Sequence, residues 1–436
     1  MGRYYIWTIG CQMNTADSER LGSALDQLGC QPVAAPEDAD IIVLNSCVVR
    51  QGAEEKVVGR LTSLKPLKQA HRDRTVVLMG CMVGPRHEEL KRRFPFVDLF
   101  LRPQQYDPLL QAVAEREGAC LDDIGPLVTA HPKVAAFTPI IHGCDKFCTF
   151  CIIPYRRGRE RSRPIPEMVD EVQRMVARGV REVTLLGQNV DSYGHDLPDH
   201  PDLADLPAAL DPIPSLARIR FLTSHPSDMS DRIIDAVAGL PKVCEFINLP
   251  AQAGDDDVLR AMKRGYARAE YLRLVDRVRR HIPGVGLTTD IIVGFCGETE
   301  QQFQHTLDLL EEVRFDKVHV AAYSTRPGTT AARGMADDVP AEEKRRRLQA
   351  VEELQERIAT EINARLVGET YEVMAEEMDA ARGLWQGRTR SNKLVHFKAD
   401  GVHPGAVLPV RVTETSPWYL KGEAVAAPAR EALAVG

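Results

Sequence analysis

The sequence predicts an α/β chain in three parts. These are an N-terminal parallel-sheet α/β domain at 1–132, a central partial (β/α)6 TIM-type barrel with a terminal linker helix at 133–366, and a small all-β barrel at 367–432. Three observations predict it. Strand-like apolar runs alternate with helical spacing up to about residue 324, the pattern of parallel sheets covered by helices. A long charged stretch with helical periodicity follows. After Gly368, short alternating runs lie between Gly, Asp and Pro turns, as in a small barrel or sandwich.

Taken in order, Tyr4–Ile9, Ile41–Leu44 and Val76–Met79 read as strands, each followed by a helical stretch near Ser18–Leu28, Ala53–Leu64 and Arg86–Phe94. A loop with Asp122, Asp123, Gly125, Pro126 and Pro132 ends this region. Six further strands are expected at Thr138–Ile141, Glu182–Leu186, Ile219–Thr223, Phe246–Leu249, Gly286–Ile292 and Lys317–Ala322. Six units suit a partial barrel better than a closed eight-stranded one. Asp196–Pro214 reads as a long surface connection. Ala341–Leu366 reads as one helix, with Lys344-Arg345-Arg346-Arg347 as its solvated face. The last domain has strand runs at Thr370–Met374, Leu384–Gly387, Lys393–Phe397, Val407–Val412 and Tyr419–Ala424, and the Ala-rich end is expected to fray.

Composition narrows the class. Of 436 residues, 44% are hydrophobic and 27% charged, and the net charge is −7, which excludes a globally basic nucleic-acid coat and leaves room for a local basic patch. No apolar run approaches the roughly 18 residues that span a bilayer. The N-terminus lacks a signal-peptide pattern, so a cytoplasmic address without membrane contact is expected. Thiols stay reduced there, and the ten cysteines read as ligands, nucleophiles or buried fillers.

Two cysteine groups carry chemistry. Cys144, Cys148 and Cys151 form C-x3-C-x2-C directly after a strand, at the mouth where barrels keep their sites. Three thiolates on a 4Fe-4S cluster leave one iron open to a small molecule. Zinc is the competing metal, but no fourth Cys or His follows Cys151 within twenty residues, and His142 is expected to point away from the loop. Cys11, Cys47 and Cys81 each lie just past the C-terminal end of a predicted parallel strand. Such ends line one crevice, so three distant cysteines can meet there as a second, incompletely ligated centre. Buried small residues are the bland alternative. Cys30, Cys120, Cys244 and Cys296 show no pattern and read as fillers, with Cys296 set apart by its place between Gly294 and Gly297.

With these residues in view the chain resembles the radical S-adenosylmethionine (SAM) methylthiotransferases. Within them it is similar to the branch acting on dimethylallyl-adenosine in tRNA. The resemblance rests on Gly10–Asn14, Asn45-Ser46-Cys47 with Glu54-Glu55-Lys56, Gly80-Cys81-Met82, the Cys144–Cys151 loop running into Ile152-Ile153-Pro154-Tyr155, Leu186–Val190, Met262–Tyr266, Asp290–Phe295, Tyr323-Ser324 and Gly387–Lys393. Gln12-Met13 favours the tRNA branch over those acting on a ribosomal-protein aspartate or on threonylcarbamoyl-adenosine. Cys296 stands where the family usually has Pro, and Ala251-Gln252-Ala253-Gly254 where it often has Val-Gln-Ser-Gly.

The resemblance implies transfer of a methylthio group to C2 of a dimethylallyl-modified adenosine beside the anticodon, with two 4Fe-4S clusters and two SAM molecules. The cluster on Cys144, Cys148 and Cys151 would bind and cleave SAM, and the auxiliary cluster on Cys11, Cys47 and Cys81 would present the sulfur. An unactivated aromatic C–H needs radical chemistry, which the cofactors carry. Gln188, Ser224, Gln252 and Arg264 are candidate SAM contacts. Arg156, Arg157, Arg159, Arg161 and Arg163 beside the cluster loop are candidate RNA contacts, as are Arg388, Arg390 and Lys393 in the last domain, which resembles a TRAM domain. The expected partners are the anticodon stem-loop of tRNA, with the reactive base splayed out, and a flavodoxin or ferredoxin as electron donor. A monomer is the default. A non-catalytic zinc-stabilised RNA-binding protein is the reading from another class.

Overall fold

The computed structural model describes residues 2–47, 51–125, 127 and 133–425. The first domain is a five-stranded sheet of β1 (Arg3–Ile9), β2 (Gln31–Pro32), β3 (Ile41–Ser46), β4 (Thr75–Gly80) and β5 (Leu99–Leu101), ordered β2-β1-β3-β4-β5. Every pairing is parallel. β3 is buried along its whole length, which accounts for the unbroken apolar run of Ile41–Leu44. Helices Gln12–Gln27 and Asp107–Glu117 cover one face of the sheet and helix Gln51–Ala70 the other. Strands β2 and β5 and helix Asp107–Glu117 were absent from the sequence reading, because the two strands are too short to show a period.

The central domain begins with β6 (Ala135–Pro139). A two-residue ribbon of β7 (Ile141–His142) and β8 (Arg161–Ser162) brackets the cysteine loop. Then come β9 (Glu182–Leu186), β10 (Arg218–Leu222), β11 (Phe246–Asn248), β12 (Gly286–Val293) and β13 (Lys317–Ala322). Parallel pairing gives β6-β9-β10 and β11-β12-β13, and a parallel bridge from Ile219 to Val243 joins the two halves. This is the expected six-stranded partial barrel. The stretch expected as a surface connection is instead part of its core: Leu203, Leu206, Leu210 and Ile213 are buried with the barrel residues, on and around helix Asp205–Leu210. Asp and Pro residues between those leucines masked their helical spacing.

Helix Ala341–Ala364 leads to β14 (Thr370–Asp379), β15 (Leu384–Thr389), β16 (Leu394–Lys398), β17 (Val407–Thr415) and β18 (Leu420–Ala424), a closed barrel ordered β14-β15-β16-β18-β17. The frayed end expected after Ala424 falls mostly outside the described residues. The basic run on the helix is only half a solvated face. Lys344 and Arg347 are buried, Lys344 paired with Asp337 and Arg347 with Glu298 at 2.9 Å. No described helix is long and apolar enough to cross a membrane.

Two contacts fix the domains. On one side, Met13 and Ala16 of helix Gln12–Gln27 pack on Phe137, Leu186 and Leu222 at the C-terminal ends of barrel strands. On the other, the small barrel closes the N-terminal end of the large one. Arg218 and Arg220, both buried, donate to the carbonyl oxygens of Arg388 (2.6 Å) and Thr389 (2.7 Å), while Glu182 accepts from Arg220 Nε at 2.9 Å. Removing one member of a buried ionic set leaves charge uncompensated and costs about 3–5 kcal/mol. Glu182→Ala is therefore expected to lower stability by about that amount in urea unfolding, and Glu182→Gln by less; an unchanged midpoint for Glu182→Ala would count against this docking.

Candidate active site between two cysteine triplets

The parallel register places the first triplet. Ile9 pairs with Ser46, and Ser46 with Gly80, so the ends of β1, β3 and β4 are level. Cys47 and Cys81 are the next residues on their strands, and Cys11 lies two beyond Ile9. The ladder continues through the ligand positions, with Cys47 N–H donating to Ile9 O at 3.0 Å and Cys81 N–H to Ser46 O at 2.8 Å. Beneath them Asn14 and Asn45, both fully buried, bond to each other: Asn14 Nδ2 donates to Asn45 Oδ1 at 3.0 Å, and Asn45 Nδ2 to Asn14 O at 2.8 Å. Asn14 Oδ1 also accepts from the Cys11 backbone N–H at 3.3 Å. Gly80 has φ of 103°, and a Cβ there would lie 2.4 Å from both Asn45 Oδ1 and Ser46 O, so no other residue fits.

The second triplet lies in the loop between β7 and the short helix Ile153–Arg157. The loop is pinned at Cys144 N–H to Gly158 O (3.2 Å) and Thr149 N–H to Met262 O (3.1 Å). Gly143, at φ 76°, passes so close to Arg159 that a Cβ would sit 2.1 Å from its carbonyl oxygen. Cys148 Sγ accepts a hydrogen bond from Arg264 Nη1 at 3.4 Å.

The two triplets share a wall. Cys81, Ile152 and Ile153 form one buried apolar cluster against which Cys144, Cys151 and Tyr155 pack. Burial pushes the Cys81 and Cys144 thiols up to about 11 and Cys151 up to about 12, each raised further by the neighbouring cysteines of its own triplet. Each triplet offers three cysteine sulfurs, the donor set of an iron–sulfur cluster that leaves one iron open. His142 points out of the loop as expected, bonding Gln104 of the first domain.

The remaining candidates separate. Gln188 and Ser224 lie two residues past Leu186 and Leu222, which pair with each other at the barrel mouth, and Gln252 bridges to Ile291 on β12. Ser224 Oγ is engaged by Asp191 Oδ1 at 2.9 Å. Arg264 is buried and each of its three nitrogens donates, to Tyr266 Oη (3.0 Å), Pro250 O (3.1 Å) and the Cys148 sulfur. It serves the cysteine loop first. Sequence reasoning missed Lys146, Asn189, Asp191, His225 and Asp228, which gather at the same mouth. Asp228 accepts from Lys146 Nζ and from Asn189 Nδ2, both at 2.6 Å. All five flank the cysteine loop or motifs that had been singled out, and that adjacency was the available signal.

Several proposed RNA contacts are corrected by burial. Arg157 has a side chain only 2% exposed and is paired with Asp17 at 2.9 Å. Arg163 is buried between Glu167 and Glu171. Arg390 clamps Glu245 with two bonds of 2.8 Å, and Lys393 meets Asp316 at 2.6 Å. Arg157, Arg390 and Lys393 thereby hold domains together, while Arg163 is paired within the central domain. Arg156 packs against Gly84 of the first domain, where any side chain on the glycine would collide with its guanidinium. Arg159 and Arg161 stay exposed, Arg159 paired with Asp145 at 2.5 Å, and Arg388 is half-exposed near Glu376 at 3.5 Å. Of the filler cysteines, Cys30 and Cys244 are buried, Cys296 is half-buried and Cys120 is exposed, so Cys120 fills no core.

Comparison with known proteins then places the chain. Residues 3–102 match a family described as uncharacterized protein family UPF0004, residues 138–310 the radical SAM superfamily, and residues 364–425 the TRAM domain. A tRNA-2-methylthio-N(6)-dimethylallyladenosine synthase of Herpetosiphon aurantiacus is 51% identical over 100% of this chain and 99% of its own length. One of Chloroflexus aurantiacus is 52% identical over 96% and 91%. The chain belongs to this synthase family. Among solved structures, the radical SAM methyltransferase TsrM of Kitasatospora setae shares the fold, with a TM-score of 0.55 at 14% identity over 76% of this chain and 77% of its own.

Burial lifts Asp191 from the ordinary carboxylate range to about 7, even though His225 N–H and Ser224 Oγ–H both donate to it. The unfolded chain loses this proton near 3.8, so Asp191 withdraws stability as pH rises from about 4 to 7. Asp191→Asn does not ionise. Its melting temperature relative to the parent is expected to climb across that window; a pH-independent difference would contradict the assignment.

Proposed function

We propose that this chain adds a methylthio group to C2 of a dimethylallyl-modified adenosine next to the anticodon of tRNA. One observation carries the reading: Cys81 of one cysteine triplet and Cys144 and Cys151 of the other pack in one apolar cluster at the C-terminal mouth of a radical SAM barrel. Cys144, Cys148 and Cys151 would hold the cluster that binds SAM, and Cys11, Cys47 and Cys81 the auxiliary cluster. When bound, these groups supply the radical that removes the C2 hydrogen and the sulfur that replaces it.

The chain's own residues supply the setting. Arg264 holds a donor on the Cys148 sulfur. Ile152 and Ile153 keep water from the wall between the triplets. Gln188, Gln252, Asn189 and His225 stand at the mouth where SAM would be oriented, and the Nε2 of His225 and Oδ1 of Asn189 are buried there without a partner among the described residues. Arg159, Arg161 and Arg388 remain the phosphate contacts of this reading. We assign the domains to 1–132, 133–366 and 367–432. A flavodoxin or ferredoxin would supply electrons to a monomer in the cytoplasm.

The test is anaerobic reconstitution with tRNA bearing the dimethylallyl adenosine, SAM and a reductant, followed by mass spectrometry of the nucleosides. The methylthio nucleoside and 5′-deoxyadenosine are expected with the parent chain. Cys144→Ala should retain about four irons in the first domain and release no 5′-deoxyadenosine. SAM cleavage by Cys144→Ala would overturn the role assignment.

A further inference from the structure

We propose that Arg157 is a positioning residue for the auxiliary cluster, reaching from the central domain into the first to hand its unused N–H groups to the sulfurs there. The inference rests on the auxiliary-cluster reading above and adds a residue that neither cysteine motif contains. Arg157 lies six residues beyond Cys151, on the short helix Ile153–Arg157, and so belongs to the loop of one triplet while meeting the other. Its Nη2 donates to Asp17 Oδ2 at 2.9 Å, with side chains 2% and 1% exposed. Asp17 is itself fixed by Tyr106 Oη. One edge of the guanidinium is thereby anchored.

The other edge is the notable one. A guanidinium carries five N–H donors. Nε and Nη1 of Arg157 are buried and have no acceptor among the described residues. Three N–H groups of a fixed cation are thus left without oxygen or nitrogen partners, an arrangement that is unfavourable unless something accepts. The Arg157 charge acts on both the Cys81 and the Cys11 sulfurs. Sulfur is the acceptor this edge faces. On a 4Fe-4S cluster, cysteinyl and inorganic sulfur accept N–H donors, and such bonds with nearby positive charge stabilise the reduced, more negative cluster and raise its reduction potential.

Two consequences follow. The auxiliary centre is completed by a residue of the neighbouring domain, so its electronic properties depend on the domains being docked. And because Arg157 follows Cys151 by six residues, its hydrogen bonds tie the segment of one triplet to the surroundings of the other.

The experiment uses the full-length chain carrying Cys144→Ala, Cys148→Ala and Cys151→Ala, so that only the auxiliary cluster is loaded. Iron is counted and the midpoint potential is measured by EPR-monitored titration. In this background Arg157→Gln is expected to keep about four irons and to make reduction at least tenfold harder, a shift of about 59 mV to more negative potential for one electron. Asp17→Asn leaves the guanidinium in place and removes a negative charge, so its midpoint should not fall. If Arg157→Gln loses iron, Arg157→Lys decides. It is expected to load the cluster with a midpoint below the parent's, because a single ammonium cannot reproduce two donors on a planar fork. A parent-like midpoint in the loaded Arg157→Gln or Arg157→Lys chain, or an equal fall in Arg157→Gln and Asp17→Asn, overturns the proposal. Failure of the triple-alanine chain itself to bind iron would instead overturn the auxiliary-cluster reading.

Discussion

Buried sulfur without enough positive charge is the constraint on which this structure turns. Cys81, Cys144 and Cys151 sit where burial drives their thiols to about 11 or 12, and each has two more cysteines beside it. Metal ligation needs thiolates, so positive charge must enter both places. The protein contributes one buried guanidinium to each, Arg157 beside Cys81 and Arg264 on Cys148. The irons supply the rest. Much of the surrounding architecture serves to hold those cations: Asp17 and Tyr106 on one side, Tyr266 and the Pro250 carbonyl on the other.

The same constraint explains the domain arrangement. A parallel sheet brings three strand ends level, which is the cheapest way to converge residues 11, 47 and 81 from distant parts of the chain. The barrel does the same for Gln188 and Ser224. Packing helix Gln12–Gln27 across the barrel mouth joins the two crevices into one site. The small barrel lies at the opposite end, over the N-terminal ends of the strands, where it stabilises and closes the fold.

Repeating elements were readable in the sequence because burial imposes a period. Glu182–Leu186 and Lys317–Ala322 were legible to the residue, and both cysteine triplets could be placed by where strands end. Cations were not readable in this way. Arg157, Arg390 and Lys393 look like a phosphate-binding surface along the sequence, but each meets a carboxylate that arrives from elsewhere in the fold. A local charge run carries no record of its long-range partner. The polar group at the barrel mouth was missed for a related reason. Asp191 and Asp228 become informative only when burial and their neighbours are known.

The account's central claim is that two incompletely ligated iron cubes look into one chamber. Diffraction at the iron absorption edge, from anaerobically grown crystals of the reconstituted chain, tests it most directly. The predicted map has two four-iron clusters, one on each cysteine triplet, each with one iron that lacks a protein ligand and faces the shared chamber. Clusters whose unligated irons face bulk solvent, or single metal ions in place of either cluster, would contradict it.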